Sequence, residues 1–220
     1  RLGFIAENIR AMILGQEIPI THNFKFFSMD GVFLGTQSYQ TKEFFKEIIL
    51  KPLKTNDKYY SFIHYVESEI DLDHILRDKG ISRSLKFSEQ NRGYSIYYHS
   101  NSEFGSVVHG NFGGITKDLK KTARKTLLSH VYTPIYKFEK LSNYDLVFNN
   151  PTSSSIIIKI FFNNSSRKID LIIPSLGTRF LRIKNYSGSC SFESRLPICR
   201  ALVFKNPTPN FSGTFDIFHS

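Results

Sequence analysis

Leu146-Val147-Phe148-Asn149-Asn150-Pro151-Thr152 returns, changed at one position, as Leu202-Val203-Phe204-Lys205-Asn206-Pro207-Thr208. Each copy reads as the end of a buried strand. Leu, Val and Phe favour a pleated, half-buried surface, and Asn-Pro stops a strand because proline has no ladder donor and biases its predecessor towards an extended turn. Between the copies lie three more apolar runs, Ile156–Phe162, Lys168–Ile173 and Thr178–Ile183. Short strands with turn signals about every 8 to 12 residues are the pattern of an antiparallel sandwich or barrel.

Working outward, the same texture fills most of the 220 residues. Downstream come Ser189–Glu193, Ile198–Phe204 and Thr214–Phe218, and upstream Val131–Phe138, Gly105–Phe112, Tyr94–His99, Ser84–Phe87 and Tyr59–Glu67. Phe24–Met29 and Val32–Tyr39 flank Asp30-Gly31, a dipeptide that supplies positive φ cheaply in a tight hairpin. Phe44–Leu50 fits either a strand or a helical unit, since Phe44, Phe45, Ile48 and Ile49 also share a helical face. Ile5, Ile9, Met12 and Ile13 predict a short amphipathic helix ending near Gly15, and Asp71–Lys79 predicts a second, closed by Gly80.

With 21 Phe and 11 Tyr but no Trp and two Met, aromatic and β-branched residues carry the core, which favours strands over helices. The expected fold is therefore all-β: two tandem antiparallel β-sandwich units, jelly-roll or immunoglobulin-like, with a few short helices. The expected domains are residues 1–118, a basic connector at 119–130, and residues 131–220. Two echoes suggest an internal duplication: Phe24–Phe27 and Val32–Leu34 against Ile158–Phe162 and Ile169–Ile173, and Tyr94–Ser100 against Phe215–Ser220.

Cys190 and Cys199 flank an expected hairpin turn at Ser194-Arg195 that would set them opposite each other. A cross-strand disulfide is conceivable there, but a single pair of cysteines in a chain this long is no disulfide framework, and reduced thiols are expected.

From Tyr144 to Thr208 the chain resembles bacterial immunoglobulin-like and sensory rhodopsin transducer-like β-sandwich modules. The resemblance is carried by Asn150-Pro151, the alternating Ile156–Phe162, Ile169–Pro174, the Gly177-Thr178 entry into the next strand, and Cys190–Ala201 with its Pro197-Ile198. It implies a non-catalytic domain that associates with itself, with another protein or with a glycan, and it transfers no functional residue.

Catalytic motifs are missing from the sequence. No Gly-x-Ser-x-Gly elbow occurs, and Gly105–Gly110 has phosphate-loop spacing but continues Asn111-Phe112 instead of Lys and a hydroxyl. No close-spaced histidine pair suggests a metal, and no cofactor is expected. The densest acidic group, Glu67, Glu69, Asp71 and Asp73, and the group around His99 are the places for an alternative carbohydrate-active enzyme.

For glycan recognition the best composition is Tyr97, Tyr98, His99 and Asn101, with Glu103 and His109 nearby, although alternation allows only one set of tyrosines to face solvent. The net charge of +10 attracts polyanions, and Lys120, Lys121, Arg124 and Lys125 in the basic connector are the candidate contacts. The leading expectation is a non-enzymatic binding or assembly protein for a carbohydrate, an acidic surface polymer or another protein, with self-association an option. Electrostatic nucleic-acid binding ranks last, because no reader motif accompanies the basic run. No apolar run is long enough for a membrane span, and no signal peptide is visible. A cytoplasmic, soluble protein is thus expected, with the reservation that the chain begins at Arg1 rather than Met.

Overall fold

In the computed structural model the described residues are 2–82, 93–98, 105–109, 129–133, 136–195, 201–207 and 216–219. They form two compact units. Unit 1 comprises Arg1–Phe26, Phe33–Thr55 and Phe62–Asp118, and unit 2 comprises Phe27–Val32, Asn56–Ser61 and Leu119–Ser220.

Alternation produces most of unit 1. Its elements are β1 (Leu2–Glu7), α1 (Ile9–Leu14), β2 (Ile20–Phe27), β3 (Phe33–Thr41), β4 (Phe45–Leu50), β5 (Ser61–Glu67), α2 (Leu72–Asp78), β6 (Tyr94–Tyr98) and β7 (Gly105–His109). One sheet runs β4-β1-β6-β7 and the other β3-β2-β5. They pack through Phe4 of β1, whose ring lies 5.0 Å from Phe24 of β2 and 6.1 Å from Phe62 of β5, both edge-on.

Unit 2 contains β8 (His130–Tyr132), β9 (Tyr144–Asn149), β10 (Ile156–Phe162), β11 (Lys168–Ile173), β12 (Thr178–Ile183), β13 (Cys190–Ser194), β14 (Leu202–Lys205) and β15 (Asp216–His219). Its sheets run β12-β9-β14-β15 and β11-β10-β13-β8, and Phe148 meets Phe192 edge-on at 5.1 Å between them. The protein is thus all-β, with four antiparallel sheets in two paired units and little helix.

The two units follow one path. Adding eight to each strand number turns β4-β1-β6-β7 into β12-β9-β14-β15 and β3-β2-β5 into β11-β10-β13, with β8 an extra strand on unit 2. A buried asparagine after the equivalent strands β1 and β9 pins the same three connections. Asn8 N–H donates to the Phe44 carbonyl just before β4 (2.9 Å), and Asn150 N–H to the Gly177 carbonyl just before β12 (2.9 Å). Asn8 Nδ2 donates to the carbonyls of Ile18, ahead of β2 (2.7 Å), and Lys42, after β3 (3.4 Å). Asn150 Nδ2 donates to the carbonyls of Ser154, ahead of β10 (2.9 Å), and of Ile173 (3.2 Å) and Pro174 (2.7 Å) at the end of β11. The side-chain oxygens accept the N–H of Ala11 and of Thr152, 3.0 Å each. A carboxamide suits both places because it supplies donors and acceptors to backbone groups that burial has cut off from water.

The repeated Leu-Val-Phe strings sit side by side in unit 2. β14 lies antiparallel to β9 with Leu202 opposite Val147 and Val203 opposite Leu146. Asn206, the second string's asparagine, accepts the Asn143 N–H at 3.0 Å and adopts positive φ.

Several expectations are decided or corrected. Ile5 belongs to β1, so the first helix shrinks to Ile9–Leu14, capped by the Asn8 side chain and closed by Gly15 in the left-handed region. Phe44–Leu50 is a strand from Phe45, with Ile48 and Leu50 buried and Phe45 and Ile49 exposed. Of the expected hairpin at Ser194-Arg195, residues 196–200 lie outside the described residues. Residues 192–194 have β10 on one side and β8 on the other, which uses both edges of β13, while β14 lies in the other sheet between β9 and β15. Cys190 is a buried free thiol whose pKa burial pushes up to about 12, and Cys199 lies outside the described residues. Of the two echoes, β2–β3 and β10–β11 hold equivalent places, but β6 corresponds to β14 and β15 to β7. The predicted strand at Ser84–Phe87 and residues 119–128 of the basic connector lie outside the described residues, whereas His130 begins β8.

Candidate functional site

Each unit buries one face of its first sheet against its second sheet, so the opposite face is where the equivalent units can differ. In unit 1 that outer face carries Gly3, Ile5 and Glu7 of β1. Gly3 lies between Ile49 of β4 and Ile96 of β6, and Ile5 between Glu47 and Tyr94. Val107 of β7 follows Ile96 in the same row. Phe45 (58% exposed), Val107 (52%), Ile49 (41%) and Tyr94 (39%) are exposed on this face, whereas Ile96 and Glu7 are buried in it. Gly3 makes its floor. A Cβ there would stand 2.9 Å from Glu47 Oε1 and 3.2 Å from the Tyr98 ring, so the missing side chain lets Tyr98 lie across β1 and donate its hydroxyl proton to Glu47 Oε1.

In unit 2 the corresponding row is Arg182–Asp145–Phe204, on β12, β9 and β14. Asp145 takes the place of Gly3 and is fully buried. Arg182 grips it with a side-on fork, Nε to Oδ1 at 2.7 Å and Nη2 to Oδ2 at 2.8 Å. Lys58 Nζ (2.5 Å) and the Tyr59 hydroxyl (2.6 Å) both donate to Oδ2. The Tyr59 ring lies 5.2 Å from both Phe180 and Phe204. The segment Asn56–Ser61 thus lies across part of this face and leaves Lys58 and Arg182 about a third exposed.

Burial pushes the Asp145 carboxyl up from its ordinary value, while the Tyr59 hydrogen bond and the charge of Lys184 pull it down. With two cations on its oxygens as well, the carboxylate is the form this environment holds at neutral pH. Burial and the Asp145 acceptor push the Tyr59 hydroxyl up, so it remains a donor.

A second polar group lies in the unit 1 core. His22 Nδ1 is 2.9 Å from His64 Nε2, His22 Nε2 is 3.1 Å from Thr41 Oγ1, and the two imidazoles stack at 5.2 Å. The His64 ring also packs against Phe4 (4.6 Å) and Phe24 (5.0 Å). Desolvation lowers His22 to about 4 and, with the charge of His22, His64 to about 3. Both rings are therefore neutral at physiological pH, one donating to the other. Among the described residues no three His, Cys, Asp or Glu side chains converge to hold a metal ion, and no helix is long and apolar enough to cross a membrane.

Of the residues singled out for glycan recognition, Tyr98 lies on the open face with Tyr94. Tyr97 points to the other side, in the row of Leu2 and Ser106, and His109 stands opposite Tyr94 at the end of β7. His99, Asn101, Glu103, Lys120, Lys121, Arg124 and Lys125 lie outside the described residues. In the acidic group, Glu67 accepts from Asn23 Nδ2 at 3.2 Å and Asp71 caps α2 through the Asp73 N–H at 2.9 Å. Asp145 escaped sequence reasoning because it sits inside the apolar run Tyr144–Phe148. The available signal was that run itself, since a carboxylate on a strand buried on both faces requires a cationic partner. No protein-family model matches the chain, and no curated protein matches it either.

Proposed function

We propose that this is a non-enzymatic binding or assembly protein whose binding surface is the outer face of the β4-β1-β6-β7 sheet. The observation that carries the reading is the contrast between equivalent faces. Asn56–Ser61 lies across the one in unit 2, whereas Phe45, Ile49, Tyr94 and Val107 are exposed on the one in unit 1. An apolar sheet face of this kind is a surface for an extended polypeptide, with Tyr94 and Phe45 as aromatic anchors and the Glu47 carboxylate as the polar contact.

A carbohydrate is the second reading. Tyr94 and Tyr98 offer ring surface for the C–H face of a sugar, and Glu47 is a fixed acceptor beside them. On the same reading each unit is a sandwich of the immunoglobulin-like or jelly-roll kind, arisen by duplication. The shared strand order and the paired asparagines Asn8 and Asn150 support this.

The test is binding of the full chain to peptide and glycan arrays, comparing wild type with Val107→Lys and Tyr94→Ala. A partner seated on this face should bind at least about tenfold more weakly to Val107→Lys, because the lysine puts a charge in a desolvated contact. Tyr94→Ala should separate the two ligand classes, since loss of a stacking ring weakens a sugar more than an extended chain spread over the sheet. Binding that neither substitution changes, or no binding on either array, would rule the face out.

A further inference from the structure

We propose that unit 2 binds an organic carboxylate, the acid group of a uronate-type sugar, through the unused edge of Arg182 together with Lys58 and Lys184 beside the Phe180 ring. This is independent of the reading of unit 1, because it concerns other residues and a different chemistry. A guanidinium has five N–H donors, and Arg182 commits its Nε and one Nη2 hydrogen to Asp145. The remaining Nη1/Nη2 edge presents two parallel N–H groups, the geometry that accepts a second carboxylate, and no described residue takes them.

The charge count agrees. Lys58 and Arg182 contact Asp145, so two cations face one carboxylate and one positive charge is left over, with the exposed Lys184 two residues beyond Arg182. Asp145 holds the Arg182 guanidinium in place before any ligand arrives, which removes part of the ordering cost of binding. The Lys58 and Arg182 side chains remain about a third exposed, at 35% and 33%, and Lys184 is exposed.

The ring selects among anions. Phe180 is half-buried, with Lys58 Nζ 5.0 Å and Arg182 Cζ 5.9 Å from its centroid. Tyr59 packs edge-on against it at 5.2 Å, and the part of the ring left exposed lies between two cations, which suits a ligand carrying an acid group on a ring with a C–H face. Inorganic phosphate would satisfy the cations and leave the ring unused.

The experiment is a titration of the isotope-labelled full chain with trigalacturonate, with galactotriose, inorganic phosphate and an oligothymidylate of the same charge as the other arms. Trigalacturonate should shift the amide signals around Phe180 and Arg182, and galactotriose should not. Affinity should fall at least about tenfold in Lys184→Glu, which reverses one charge, and in Arg182→Lys, which removes the paired N–H edge. Lys184→Glu leaves the Asp145 contacts intact, so the test stands even where Arg182→Lys perturbs folding. The proposal is overturned by an absence of shifts with trigalacturonate, or by unchanged affinity in Lys184→Glu. Phosphate or oligothymidylate binding as tightly as trigalacturonate would show a site that reads charge alone, and would overturn it equally.

Discussion

Units 1 and 2 trace the same strand order and are pinned by the same asparagine, yet they treat polar groups in opposite ways. Unit 1 places its imidazole pair inside, with His64 against Phe4 and Phe24, and exposes Phe45, Ile49, Tyr94 and Val107 on its outer sheet face. Unit 2 closes its sheets with Phe148 on Phe192 and carries its charge on the outer face, where Lys58, Tyr59 and Arg182 enclose Asp145. Strand order therefore depends on features the units share, the alternation and the asparagine plug. The polarity of each face is free to vary, and that is where the two units differ.

The comparison breaks most sharply at the plug. Asn150→Ala should cost about 4 kcal/mol, because it strands several buried backbone groups at once. Asn8→Ala, with one fewer carbonyl to satisfy, should cost about 3 kcal/mol. Equilibrium denaturation would measure both. Near-neutral values at either position would mean that the shared hydrogen bonds do not support the shared path.

Acid should separate the units next. The unfolded chain binds protons on His22 below about pH 6.5, whereas the folded ring resists protonation down to about 4. Since the unfolded state binds more protons in that interval, the contribution is complete above about pH 6.5. It falls by about 3 kcal/mol as the pH drops to about 4. Hydrogen exchange should show β1, β2 and β5 losing protection over this window. Replacing both rings, as in His22→Leu with His64→Leu, should flatten that slope, and a slope unchanged in the double variant would dismiss the pair as its source.

Asp145→Ala should cost less, about 2 kcal/mol, because Arg182 and Lys58 are partly exposed and can turn to water. A double-mutant cycle with Arg182→Met would isolate the pair, and zero coupling would make the fork incidental. The smallest effect belongs to the open face. Val107→Lys should change stability by no more than about 0.5 kcal/mol, and a larger loss in thermal unfolding would mean that the face is already part of the core.

Most strand positions were legible because they depend on neighbours in sequence. Ile156–Phe162 alternates buried and less buried residues, and Asn150-Pro151 ends the strand before it. Pairing was not legible in the same way. Both edges of Cys190–Ser194 resemble hairpin edges locally, and only the competing strands Ile156–Phe162 and His130–Tyr132 show that both are taken. The glycan candidates were chosen on composition, and alternation could not say whether Tyr97 or Tyr98 faced outward until β1 was placed beside them.

Sequence alone determined that this chain builds short antiparallel strands with an aromatic core, because alternation and turn residues act over a few bonds. The tertiary structure decided that the strands run twice through one order, that Asn8 and Asn150 are counterparts, and that Asp145 meets Lys58, Tyr59 and Arg182. Those partners lie 87, 86 and 37 positions away from Asp145. Closing loops of that length is favourable only when the whole sheet forms, so no local pattern records which residues will meet.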